Sequence, residues 1–127
     1  MAERDIVAAI LRLLKKTPNC FCWKEHGGMY GTAGIPDIIA CINGRFVAFE
    51  VKTETGKLTK LQEITIQKIK NARGQAFKVT SAAEVAAILK ELEGLPCEYY
   101  YPRNTSPSVP REGVRYAEAV GIEAESG

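Results

Sequence analysis

Apolar and polar residues recur along this chain with two different periods, and each change of period marks an element. Between Glu3 and Lys16 apolar residues fall at Ile6, Ala9, Ile10, Leu13 and Leu14, among others. Spacings of three and four place them on one stripe of an α-helix. Thr17-Pro18-Asn19 ends it. Cys20 to His26 (CFCWKEH) favours extended backbone and reads as a strand. Gly27 to Gly34 holds four glycines in eight residues, which predicts a flexible loop. No Gly-Lys-Ser/Thr follows and no helix pattern starts there, so the loop is not a phosphate-binding P-loop.

Two apolar runs come next, Ile35–Ile42 and Arg45–Lys52, separated by Asn43-Gly44. Asn-Gly is the strongest short hairpin signal, because a type I′ turn needs positive φ at both central residues. Both runs are apolar on both faces, which predicts interior strands of a covered sheet. Residues 58–72 carry a basic amphipathic helix closed by Gly74, and Gln75–Thr80 reads as another strand. Ser81-Ala-Ala-Glu84 has the form of a capping box and opens a helix that Gly94 closes. The order α-β-β-β-α-β-α predicts an α/β fold, a mixed central sheet flanked by helices. Beyond Gly94 four prolines and the run Tyr99–Tyr101 replace the periodic pattern. The expected division is a core over 1–94 and an irregular arm over 95–127. A short helix is expected from about Glu112 to Ala119, and the arm either belongs to the same domain or serves as a dimer contact.

Composition narrows the class. A chain of 127 residues suits one domain, and 46% apolar with 25% charged residues is ordinary for a globular protein. No apolar run approaches the roughly 20 residues that span a bilayer. The first residues carry acids and lack a small-residue cleavage site, so a cytoplasmic protein is expected. Its four cysteines then stay reduced. Cys20 and Cys22 lack the spacing and the second pair of a zinc site. Charge is uneven. Residues 43–80 hold eight bases and three acids, a net of +5, against −4 for residues 81–127. Lys57, Lys60, Lys68, Lys70 and Arg73 in this basic stretch suit phosphate contacts, which position nucleic acid without reading its sequence. His26, the sole histidine, reads as a solvated residue at the edge of the loop.

The hairpin sets a register. If Asn43-Gly44 is a two-residue loop, Ile42 pairs with Arg45, Asp37 falls opposite Glu50, and Ile35 opposite Lys52. Cross-strand partners share a face, and so do Glu50 and Lys52, two residues apart. Two facing carboxylates on apolar strands repel and are costly to bury. The placement makes sense with a divalent cation between them, and hard oxygen donors suit Mg²⁺ or Mn²⁺. Lys52 on that face would orient water or stabilise charge developing at phosphorus. The alternative, a Lys52 salt bridge to one carboxylate, leaves the second carboxylate unexplained.

Ile35-Pro36-Asp37 followed by Phe49-Glu50-Val51-Lys52 resembles the signature of the PD-(D/E)XK nuclease superfamily. The succeeding GKLTKLQ, with Gln62 in the next helix, narrows the resemblance to the VRR-NUC family, over about residues 1–90. The resemblance implies a restriction-endonuclease-like fold. It implies Asp37, Glu50 and the Val51 carbonyl as metal ligands, Lys52 as catalytic lysine, and Gln62 reaching into the site. It matches Glu3 to an acidic residue beside the metal, although a charge at a helix start is also favoured by the helix dipole. Small stand-alone members resemble Holliday-junction resolvases, which implies a homodimer acting on branched DNA. Two other functions compete with a structure-selective endonuclease. One is a sequence-specific restriction-type enzyme, for which no base-reading element is evident. The other is a non-catalytic DNA-binding module, against which the intact Asp/Glu/Lys set argues.

Overall fold

The computed structural model describes residues 1–26 and 33–95. They lie within a compact unit spanning Met1–Cys97. The glycine loop up to residue 32 and, beyond Leu95, the expected arm and short helix lie outside the described residues.

The element order is α1 (Glu3–Lys15), β1 (Cys20–Lys24), β2 (Ile38–Ile42), β3 (Arg45–Val51), α2 (Lys60–Asn71), β4 (Gln75–Val79) and α3 (Ala82–Glu93). The sheet order is β1-β2-β3-β4. Neighbours β1/β2 and β2/β3 are antiparallel and β3/β4 parallel, so the sheet is mixed, as the alternation of elements predicts. β2 and β3 are central, and every residue of β3 from Val47 to Val51 is buried. Asn43 and Gly44 have φ of 53° and 80°, the two positive values a type I′ turn requires. Ile42 pairs with Arg45 and the register follows the hairpin count.

The two faces are covered differently. On one, Ile38, Ala40, Val47, Phe49 and Val51 pack with Ile6, Ile10 and Leu14 of α1 and Val85 and Leu92 of α3. Val7 joins that buried stripe, although the helical spacing did not single it out. On the other, Ile39, Ala48 and Ala76 pack with Ile66 of α2. The small side chains Ala48 and Ala76 let the helix lie close to the sheet.

Three local expectations are revised. The second strand starts at Ile38 and not at Ile35, because Pro36 removes a donor and restricts the residue before it. Gly74 is not the left-handed residue that ends α2; Arg73 takes that conformation, with φ 75°. Gly74 is small for another reason: a Cβ there would lie 2.9 Å from Ile69 Cγ2 and 3.0 Å from Phe46 Cδ1. The complete capping box sits at Thr59–Gln62, where Thr59 Oγ1 accepts from the Gln62 N–H (3.1 Å) and Gln62 Oε1 from the Thr59 N–H (2.9 Å). At Ser81 only the forward half forms, because the Glu84 carboxylate turns to the Thr80 N–H instead.

The end of α3 is tied to the hairpin by Arg45. Its Nη1 donates to the Leu92 carbonyl (3.0 Å) and its Nη2 to the Leu95 carbonyl (2.9 Å). The Leu92 carbonyl also accepts from the Leu95 N–H (3.2 Å), so the fork adds charge-assisted bonds across the turn that follows the helix. Arg45→Met is expected to cost about 2 kcal/mol. Urea denaturation should show a lower midpoint at unchanged slope.

Candidate active site at the diverging ends of β2 and β3

The ladder between β2 and β3 ends at the pair Ile38–Phe49, one rung short of Asp37 and Glu50. Asp37 and Ile35 therefore lie outside the strand, which corrects the expectation of direct cross-strand pairing. What holds Asp37 is different. Along β3 the amides alternate between neighbours, and the Lys52 N–H goes to the Val79 carbonyl at the end of β4 (3.0 Å). The Val51 N–H faces the other way, where β2 has already departed. Asp37 Oδ2 accepts that bond (2.8 Å). On its far side, the Asp37 carbonyl accepts from the Glu25 N–H (2.7 Å), one residue past β1. Backbone to one side and carboxylate to the other stitch Asp37 across the gap that strand divergence opens.

Glu50 shares the face of Ala48, by strand alternation. It is 3% exposed and is the only buried charged side chain among the described residues. Gln62 Nε2 donates to Glu50 Oε2 (3.0 Å). Glu50 Oε1 is buried and no donor reaches it, so the ionised form leaves that oxygen unmatched. Burial pushes the Glu50 carboxyl up to about 8, helped by the facing Asp37 carboxylate and by a hydrogen bond to it, which needs a proton on Glu50. Lys52 pulls it down, and Glu3 adds a smaller upward push. Lys52 is half-buried just beyond the end of β3. Asp37, Glu50, Lys52 and Gln62 thus meet at one end of the sheet, with Glu3 at the start of α1 close enough to be felt.

The donor chemistry fits a hard divalent cation. Two carboxylates face each other, and one buried carboxylate oxygen is left without a donor. Among the described residues no three His, Cys, Asp or Glu side chains gather into one cation-holding group. Glu3, exposed on α1, acts on Glu50 through its charge without closing such a group. Val51, whose carbonyl the family resemblance implies as a ligand, lies between Glu50 and Lys52 and spends its N–H on Asp37.

No family model matches the sequence. No curated protein matches it either. Among solved structures, a chain described as a VRR_NUC domain aligns with a TM-score of 0.60 and 19% identity, over 77% of this chain and 97% of that one. The chain shares the fold of that VRR_NUC domain. At this identity the likeness is one of architecture.

Within this VRR_NUC-like fold, sequence reasoning missed two supports of the site. Gln62 does not merely reach in. Its Oε1 is held by the Thr59 N–H, so the amide can present only its Nε2 to Glu50. The signal was present as Thr-x-x-Gln, a capping-box pattern in its own right. Gly34 was assigned to a loop, yet it touches α2. It has φ 83°, and a Cβ on it would lie 2.7 Å from Thr65 Oγ1 and 2.8 Å from Leu61 Cγ. Its close seat against α2 sets the path of Ile35-Pro36 into Asp37. No pattern in the sequence reports that approach. His26 is exposed.

Two outcomes follow from this geometry. A carboxyl raised from 4.5 to about 8 costs stability once it must ionise in the folded state. In metal-free buffer Glu50→Gln should therefore match the wild type near pH 4 and gain as pH rises, by about 3 kcal/mol at pH 7, levelling off above about pH 8. Chemical denaturation across that range measures it, and a constant difference at all pH values contradicts the burial of an unpaired charge. Gly34→Ala combines a left-handed backbone with two overlaps, so a loss of about 1–3 kcal/mol is expected in the same assay.

Proposed function

We propose that the chain is a metal-dependent DNA endonuclease that cleaves phosphodiester bonds, selecting branched DNA such as four-way junctions by structure. The observation that carries the reading is Glu50: a carboxylate buried at the end of an apolar sheet, facing a second carboxylate, with one oxygen unsatisfied. A chain selected only for stability gains by losing such a group. The nuclease reading of the VRR_NUC-like fold and the basic stretch over residues 43–80 support it.

Asp37, Glu50 and the Val51 carbonyl would hold Mg²⁺ or Mn²⁺, with Glu3 contributing charge nearby. When bound, the cation supplies Lewis-acid polarisation of a phosphoryl oxygen and lowers the pKa of a water. The protein side chains do the rest. Lys52 orients the attacking water and offsets negative charge building on the phosphoryl oxygens. Gln62, clamped by the helix cap, keeps Glu50 in place and favours its ionised form. Water oxygen bonds to phosphorus and gives up a proton to solvent as the opposite P–O bond breaks, and the departing alkoxide takes a proton from solvent. A homodimer would present two such sites to two strands by two-fold symmetry.

Labelled four-way junction, flap and linear duplex DNA, each with Mg²⁺, Mn²⁺ or EDTA, provide the test. Cutting of the branched substrates that EDTA abolishes is expected. Glu50→Gln should bind DNA and cut more than about 100-fold slower, because even outer-shell partners of metal ligands are worth 10–100-fold. Normal cutting by that variant rules this site out. Cleavage of linear duplex at one sequence replaces structure selection with a restriction-type activity.

A further inference from the structure

The face of the sheet that carries Glu50 also carries three exposed aromatic rings, Phe46 on β3 and the contacting pair Phe21 and Trp23. Phe21 and Trp23 lie on the edge strand β1, opposite Cys41 and Ile39 of β2. Ile39 in turn pairs with Ala48, two residues before Glu50 on the same face. Helix α2 packs over β4 on this face and buries Ile39, Ala48 and Ala76 with Ile66. It leaves the rings open: Phe21 is 69% and Trp23 43% exposed.

These rings are held rather than loose. Their centroids are 5.7 Å apart with planes tilted by 49°. The Trp23 indole Nε1–H donates to Glu25 Oε1 (3.0 Å), and the Glu25 N–H is the group that holds the Asp37 carbonyl. The one polar atom of the indole is thus satisfied, and its plane is tied to the segment that positions a candidate metal ligand. An exposed, apolar, pre-oriented π-surface beside a phosphate-cutting site suits a flat aromatic partner. The basic residues of 43–80, which include β3, α2 and β4, suit the negative backbone attached to it.

We infer that Phe21 and Trp23 form a stacking platform for unpaired bases of a DNA strand whose backbone passes the Asp37–Glu50 site. In a continuous duplex every base face is covered by its neighbours, so only frayed, flapped or gapped nucleotides can use the platform. Among branched substrates it therefore favours flaps and gaps, which carry unpaired nucleotides next to the cleavage point, over fully paired four-way junctions. The inference deepens the nuclease reading and relies on it for the phosphate's position, whereas the platform itself is measurable without cleavage.

Trp23 is the sole tryptophan, so its fluorescence reports this surface alone. The full-length protein is titrated in EDTA with short oligo(dT) and, separately, with blunt duplex of equal length. Saturable quenching by oligo(dT) is expected, with little change from duplex. Phe21→Ala should weaken oligo(dT) binding about tenfold, the effect of losing one stacked ring. Phe21→Tyr, which keeps the ring, should bind as the wild type does, and unchanged far-UV circular dichroism of both variants keeps the comparison valid. Unquenched emission with oligo(dT), equal quenching by duplex, or unchanged affinity in Phe21→Ala each overturns the platform. So does emission that shifts with protein concentration before DNA is added, which assigns the face to a second copy of the chain. Quenching that persists while no metal-dependent cleavage is found upholds the platform and removes the nuclease reading instead.

Discussion

The constraint on which the rest depends is the cost of Glu50. A carboxyl 3% exposed on the last rungs of an apolar strand, with Asp37 beside it and no donor to Oε1, ionises only against burial and like charge. Everything near it moderates that cost without removing it. Lys52 draws the carboxyl back towards its ionised form, and the Gln62 amide donates to Oε2. What remains unmet is one oxygen, and a hard cation is the simplest chemistry that meets it.

That cost can be borne because the surrounding frame is rigid. The hairpin holds β2 and β3 in register, and α1 and α3 pack on one face. At the end of the ladder the strands part, and a side chain takes over where backbone pairing fails. Asp37 closes the open Val51 donor while its own carbonyl stays bound to Glu25. The divergence frees the Val51 N–H, which fixes the Asp37 carboxylate to main chain, while the Glu50 carboxylate is held by the Gln62 side chain.

Helix α2 links packing to chemistry. Ile66 anchors it on Ala48 and Ala76, Gly34 seats the incoming segment against Leu61 and Thr65, and its cap orients Gln62. Stopping short of β1, it also leaves the Phe21–Trp23 rings open on the face that holds Glu50. One helix position thereby shapes both the polar site and the apolar surface next to it.

Local chemistry decided much of this before any folding was considered. Asn43-Gly44 determined the turn and hence the register, because few dipeptides accept two positive φ values. Period and capping residues determined seven elements in the right order, and the juxtaposition of Asp37 with Glu50 was readable from counting along a hairpin. What the tertiary structure decided were contacts between segments distant in sequence. Counting carried the ladder through Asp37; the structure ended it at Ile38, next to Pro36, with Asp37 bound to Glu25 on the β1 side. Gly74 looked like a helix stop and proved to be small so that Phe46 and Ile69 could pass. Gly34 looked like loop and proved to be a contact, and Phe21 and Trp23 looked like ordinary strand residues and proved to be exposed. A residue's propensity is written in its own side chain and nearest neighbours, whereas its burial depends on which helix lies over it, and no local pattern records that.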